Sequence, residues 1–213
     1  SGIWQFIKST GRVYGLKQNW WVDERRDLTK ATHAASSYLK DLYKEFDDWY
    51  LAFAAYNCGS SRVERAIKRH GSRNYWDLHT LPSQTRSYVP NIMAAIIISN
   101  NPKKYGFQIN SEDSFDWIEK EINKSVKLKT VADCANIDIK ELQKLNPEIK
   151  QATIPPLKKN ETYILRLPTN ISKDFDSLFA LVKAPVLDEL VFIDHKVRKG
   201  ESLWIIARRY KAR

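Results

Sequence analysis

The side chains in this sequence that could do chemistry are easier to eliminate than to assign. His33, His70, His79 and His195 do not fall at metal-ligand intervals, and Cys58 and Cys134 make neither a metal-binding spacing nor a disulfide framework. Both cysteines read as small buried side chains. A glycine-rich phosphate loop and a Gly-x-Ser-x-Gly elbow are absent as well, which excludes the familiar forms of nucleotide and zinc chemistry. Asp23, Glu24 and Asp27 are interleaved with Arg25 and Arg26, so they read as a salt-bridged cluster with lowered pKa values, and a proton donor needs the opposite shift. Asp47 or Asp48 reads as a helix cap, and Glu64 pairs with Ser61 as a capping box. What is left is seven Trp, together with Tyr, Asn and Gln at turn positions. Flat aromatic faces bury the C–H side of a pyranose at roughly 25 cal/mol per Å², and amides both donate and accept toward hydroxyls and N-acetyl groups. A plain core would use the same aromatics, so composition leaves sugar binding and simple packing both open.

The elements that must position these groups follow from patterning. A chain of 213 residues, 43% hydrophobic and 12% aromatic, has ample material for a core and is not a disordered tail. Runs such as Trp49 to Tyr56 and Ile92 to Ile98 fall short of the ~18 apolar residues that span a bilayer. Before residue 107 the period is helical. Ala31, Ala35, Tyr38, Leu39, Leu42, Tyr43 and Phe46 mark one buried face. Trp49 to Tyr56 is apolar on every side and predicts a central helix ending at Asn57-Cys58-Gly59. Pro82-Ser83 opens another helix, with Pro90 predicting a kink or a restart. Asn100-Asn101-Pro102 and Gly106 place a boundary near residue 107. Beyond it Val126–Lys129 and Thr162–Leu167 read as strands enclosing helices at Thr130–Ala135 and Ile139–Leu145, a small β-α-α-β unit. A second copy starts at His195–Arg198, with its helix from Ser202.

The net charge of +10 is concentrated at the two ends of the chain, and the middle third is slightly acidic. A basic surface draws polyanions of any kind; the basic residues are interspersed with acids and no nucleic-acid module is visible, so nucleic acid is not an expected partner. The first residues lack the features of a signal peptide. The chain starts without Met and stops inside a helical pattern at Tyr210–Arg213, so it reads as an excerpt whose address signals lie outside it.

Residue order adds what composition cannot. Gly2-Ile3-Trp4-Gln5-Phe6, Thr10-Gly11-Arg12, Tyr14-Gly15-Leu16, the run from Trp21 to Asp27, Ala54-Ala55-Tyr56-Asn57-Cys58-Gly59 followed by Arg62-Val63, and Leu81-Pro82 with Thr85-Arg86 and Tyr88-Val89-Pro90 together resemble the lytic transglycosylase family over about residues 1–107. The resemblance implies a goose-lysozyme-like helical domain that cleaves the β-1,4 bond between N-acetylmuramic acid and N-acetylglucosamine in peptidoglycan. The muramoyl C6 hydroxyl closes on C1 to leave a 1,6-anhydro sugar. One carboxylic acid with a raised pKa serves this chemistry by protonating the leaving oxygen and then taking the hydroxyl proton, unlike the two-carboxylate scheme of most glycosidases. No cofactor or metal is implied.

In the family that acid is a Glu in a Glu-Ser pair on the helix before the Gly-Ile-Trp-Gln block, so here it is expected upstream of Ser1, and the fragment alone is expected to be inactive. The same resemblance implies that Gln5 lines the cleft, with fixing its own loop as the alternative. Tyr56 and Asn57 are implied to stand beside the scissile bond, and Tyr88 to bond the catalytic carboxylate. Trp4, Trp20, Trp21 and Trp76 are implied as core or cleft wall. Two residues depart from the family pattern: Cys58 in place of a small Ala, and Gln84 where Glu is common, which removes a charge from the cleft's surroundings.

Val197-Arg198-Lys199-Gly200-Glu201-Ser202-Leu203-Trp204, with Ile206-Ala207, resembles the first half of a LysM module, a β-α-α-β domain that binds N-acetylglucosamine-containing glycans. Residues from about 125 to 168 resemble a degenerate copy with Lys129-Thr130 at its turn, for which a spacer role is the alternative to glycan binding. The expectation is therefore a mainly α fold followed by small α+β units. Its parts are a transglycosylase domain at 1–107 lacking its N-terminal part, a linker with a LysM-like unit at 108–194, and half a LysM module at 195–213. Such a protein belongs to the cell envelope, periplasmic or outer-membrane-associated. Its partner is the peptidoglycan glycan strand, it acts as a monomer, and any membrane anchor lies outside this chain. A non-catalytic peptidoglycan-binding or scaffolding protein is the alternative.

Overall fold

The computed structural model describes residues 2–108, 116–158, 160–183 and 195–210. Parts of the expected linker at 109–115 and 184–194, and the last three residues, lie outside the described residues.

The first unit is built from helices. A short helix α1 (Lys8–Val13) and a loop closed by a 3-10 turn at Glu24–Arg26 lead into α2 (Leu28–Phe46). Asp27 caps α2 by accepting from the Lys30 amide, and Ala31, Ala34, Ala35, Leu42 and Phe46 are buried along it at helical spacing. Asp47 ends α2 in the left-handed conformation, and Asp48 caps α3 (Trp49–Cys58) through the Leu51 amide, so the two neighbouring aspartates divide the stop and the start between them. Leu51, Ala52, Ala54 and Ala55 are fully buried, which makes α3 the central helix. Trp49 departs from that expectation: it is 47% exposed and stacks on Tyr43 with ring centroids 4.5 Å apart.

A single residue, Gly59 at φ +89°, separates α3 from α4 (Ser60–His70). The expected capping box does not form, because α4 starts one residue before Ser61, with Gly59 at the cap position and no side-chain cap bond. Gly71, in the left-handed conformation, stops α4 as expected. Pro82 precedes α5 (Ser83–Asn100), which continues through Pro90 as one helix. A 3-10 turn at Pro102–Tyr105 and Gly106 end the unit. Among its described residues the only strand-like pairings are isolated bridges, so the unit is all-α as read.

The second unit pairs β1 (Trp117–Ile122) with β2 (Tyr163–Pro168) in antiparallel register, Trp117 opposite Pro168 and Ile122 opposite Tyr163. The helices α6 (Leu128–Ala135) and α7 (Ile139–Leu145) lie between the strands in sequence. The first strand is thus not Val126–Lys129, which instead enters α6 after an isolated bridge from Lys127 to Thr153, and the unit begins earlier than residue 125. Val131, Ala132, Leu142, Leu165 and Leu167 form its core with Phe175 and Phe179 of α8 (Phe175–Leu181). The Lys124 ammonium donates to the Phe179, Ala180 and Val182 carbonyls at 3.0 to 3.2 Å and lies 5.4 Å from the Phe179 ring centroid, tying off the end of α8. After residue 194 the described chain runs without an assigned strand at His195–Arg198 into α9 (Leu203–Arg209), capped by Ser202 as expected. Glu201 gathers His195, Arg209 and the Arg198 amide, which hold its carboxyl well below the usual range, at about 2. Cys58 and Cys134 are half-buried and free. No helix among the described residues is long and apolar enough to cross a membrane.

Candidate functional site

A concavity of about 650 Å³ opens in the helical unit where the loop before α1 faces the α3–α4 junction. Trp4, Gln5 and Phe6 form one wall; Tyr56, Asn57 and Cys58 form the other. Its floor is aromatic: Phe6 meets Tyr14, Tyr38 and Tyr56 at centroid distances of 6.2 to 6.5 Å, and Tyr38 lies 5.2 Å from Tyr56. Arg62 and Arg65, on the first turns of α4, stand at the rim. Neither Asp nor Glu is among the described residues that line it.

Local folding explains each placement. Gln5 adopts φ +49° and its amide donates to the Gly2 carbonyl at 2.5 Å, so the loop-fixing role is present in this structure and its side-chain oxygen is left for a ligand. The Trp4 indole donates to the Thr32 hydroxyl on α2 at 2.8 Å, and the Trp4 carbonyl accepts the Tyr56 hydroxyl at 2.8 Å. Tyr56 therefore braces the opposite wall while its ring lines the cavity. Asn57 accepts from the Thr85 hydroxyl at 2.8 Å, which fixes the plane of its amide and leaves the NH₂ group to donate to a ligand. Sequence reasoning missed Thr85 in this role, because only its place before Arg86 in a family block drew attention to it.

Tyr88 stands in a neighbouring hollow of about 510 Å³ with Phe53, Ile92 and Ile96, and that hollow shares Trp4 and Tyr56 with the cleft. Three of the four expected residues thus share one cavity, and Tyr88 lies across the common wall. Trp20 and Trp76 are exposed and do not line the cleft; Trp76 packs on Tyr50 and Tyr75. Gln84 is exposed on the first turn of α5, outside the lining, so its missing charge acts on solvent and not on the cavity.

Burial sets the electrostatics. It pushes the Tyr56 hydroxyl well above the usual phenol range, with Tyr88 and Tyr38 adding to the effect, and it raises Tyr38, Tyr88 and the Cys58 thiol as well. Tyr14, at the edge of the floor, is pushed up to about 12 by burial and by its bond to Asp41. The cleft phenols are neutral donors and acceptors near pH 7. Neutral phenols of this kind can pair with hydroxyls and amides, and the raised pKa leaves little phenolate to serve as a base. The expected acidic cluster is salt-bridged as read: Asp23 with Arg25 at 2.7 Å, holding its carboxyl below the usual range, and Glu24 with Lys30 at 2.6 Å. Asp27 departs from that reading, because its partner is Arg166 of the second unit at 2.9 Å.

Residues 1–79 match the family described as Transglycosylase SLT domain. Residues 119–184 match Lytic transglycosylase MltD, LysM-like domain, and residues 195–213 match LysM domain. The chain is 40% identical over 222 aligned residues to Membrane-bound lytic murein transglycosylase D of Escherichia coli K12. It is similar to the same degree to the protein of that name from Escherichia coli O6:H1. Both alignments take in 98% of this chain and 48% of the relative, so the chain spans about half the length of the curated relatives it matches.

Proposed function

The chain belongs to the lytic transglycosylase family through its SLT domain and carries LysM-like sequence behind it, and from that premise we propose that the protein cleaves the β-1,4 bond between N-acetylmuramic acid and N-acetylglucosamine in peptidoglycan, leaving a 1,6-anhydro-muramoyl end. The observation that carries the reading is the cleft itself. An aromatic floor, a tethered asparagine amide and a glutamine carboxamide face one another across a cavity of about 650 Å³, a size and polarity suited to sugar rings.

The roles follow from what each group can donate. Asn57, held by Thr85, donates to an N-acetyl carbonyl or ring hydroxyl beside the scissile bond. Gln5 accepts from a hydroxyl on the opposite wall. Trp4 and Tyr56 present faces to the sugar, and Tyr88, behind them, donates to the catalytic carboxylate. The proton donor is a Glu upstream of Ser1, in the Glu-Ser pair that the family resemblance implies. The aromatic lining raises the pKa of such an acid by desolvating it, against the opposing pull of Arg62 and Arg65 at the rim. The domain reading is a transglycosylase domain over 1–107, a LysM-like unit within 108–194 and the front of a LysM module at 195–213. The modules tether the enzyme to its insoluble substrate and raise its local concentration. The protein works as a monomer at the cell envelope, with any membrane anchor outside this chain.

Incubating the full-length protein with purified murein tests the proposal. Anhydro-muropeptides are the expected products, and replacing the upstream Glu by Gln is expected to lower the rate on the order of 10² to 10⁴. Reducing N-acetylmuramic acid as sole product would refute the mechanism. Binding without any cleavage would leave a non-catalytic wall-binding protein.

A further inference from the structure

The loop from Asn19 to Asp27 is gripped by the second unit from Asn19 to Asp23 and again at Asp27. The Asp23 amide donates to the Glu148 carbonyl at 2.8 Å, the Lys150 amide to the Trp21 carbonyl at 2.8 Å, and Val22 bridges to Ile149. Side chains add to this strand-like seam: Lys150 donates to the Asn19 carbonyl at 2.8 Å and Gln151 to the Trp20 carbonyl at 3.0 Å. At the far end Arg166 of β2 places one nitrogen 3.1 and 2.9 Å from the two Asp27 oxygens. Asp27 is 1% exposed and Arg166 9%, so this is a buried pair joining residues far apart in the sequence.

The same loop holds the cleft from its other side. Arg25, locked to Asp23 by its Nε and Nη2, donates Nη1 to the Phe6 carbonyl at 3.0 Å. The Arg25 carbonyl approaches Gly2 so closely that a Cβ there would sit 1.9 Å from it. Gly2 in turn accepts the Gln5 amide. Contacts thus run without a gap from β2 and the α7–β2 connection, through Asp23, Arg25 and Asp27, to the wall that carries Trp4, Gln5 and Phe6.

We propose that the β1-α6-α7-β2 unit is a docked brace of the cleft, with Arg166 as a positioning residue that holds the Gln5 wall in register with Asn57. This rests on the function proposed above. It assigns the unit a task other than tethering: the loop is under load from a second core, and a displacement of a substrate-positioning wall by a fraction of an ångström lowers turnover without abolishing wall binding.

The test uses the full-length protein and two variants, Arg166→Met and the double change Lys150→Ala with Gln151→Ala. The double change cuts only exposed contacts and spares the core if Arg166→Met folds poorly. Hydrogen exchange at the amides of residues 2–6 and 19–27 is expected to quicken in both, with the α3 amides unchanged. The kcat for anhydro-muropeptide release is expected to fall about tenfold, while retention on sacculi stays within twofold. Arg166→Lys is expected to recover part of the loss by keeping one charge opposite Asp27. An unaltered kcat in the double variant overturns the proposal, whatever the exchange rates do. If the wild type releases no anhydro product, the functional reading has failed, and the exchange of residues 2–6 then decides whether the brace exists.

Discussion

Glu148 shows how much of this molecule's electrostatics is arranged around one seam. It is 3% exposed, its Oε1 accepts the Tyr163 hydroxyl at 3.0 Å, and its Oε2 has no protein partner. Burial pushes its carboxyl above the usual carboxylate range, and nearby Asp27 adds to the rise. Tyr163 is raised as well, by burial and by Glu148. A folded-state pKa above the unfolded one means that the native protein binds this proton more tightly. The stability it contributes is complete below the unfolded carboxylate pKa and is lost as pH rises through the raised value. Glu148→Gln keeps the acceptor for Tyr163 and removes the titration. The variant is expected to be more stable than the wild type near pH 8, with the difference vanishing near pH 4. Denaturant melts at the two pH values check this. A variant that loses stability equally at both would mean that the carboxylate is ionised and paired.

At the level of elements, the cleft depends on tight turns more than on long helices. Gly2, at φ +70°, lies against the Arg25 carbonyl, where a side chain has no room. Gly2→Ala is expected to push the Gln5 wall off the loop at a cost of about 1–3 kcal/mol, seen as a lowered kcat/KM on murein with the α2–α5 core melting unchanged. The sequence announces the helices well because the apolar spacing of α2 and the Asp48 cap are local signals. The first strand of the second unit is a different matter. Val126–Lys129 alternates apolar and polar residues and Trp117–Ile122 does not, so the local pattern favours the wrong segment and only pairing with β2 decides between them. The absent capping box has a similar origin: the Ser61–Glu64 spacing is right, but Gly59 takes the cap position two residues before Ser61. In the cleft, Trp4, Gln5, Tyr56 and Asn57 stand out through the ordered family blocks. Thr85 and Arg166 do not, since each acts on a partner that sequence distance conceals.

For the whole molecule, the two units have separate cores joined by a polar seam, and positive charge gathers at both ends of a chain of net charge +10. Attraction of that kind to an anionic wall is screened by salt. Retention of the full-length protein on sacculi is expected to weaken several-fold between roughly 0.05 and 0.5 M salt, while the bond cleaved stays the same. Retention indifferent to salt would assign wall binding to neutral sugar contacts alone. The Lys124 knot adds one mechanical consequence. Because three carbonyls at the close of α8 are moored to Lys124 just after β1, tension applied at Val182 passes straight into β1 and from there to the strand that carries Arg166.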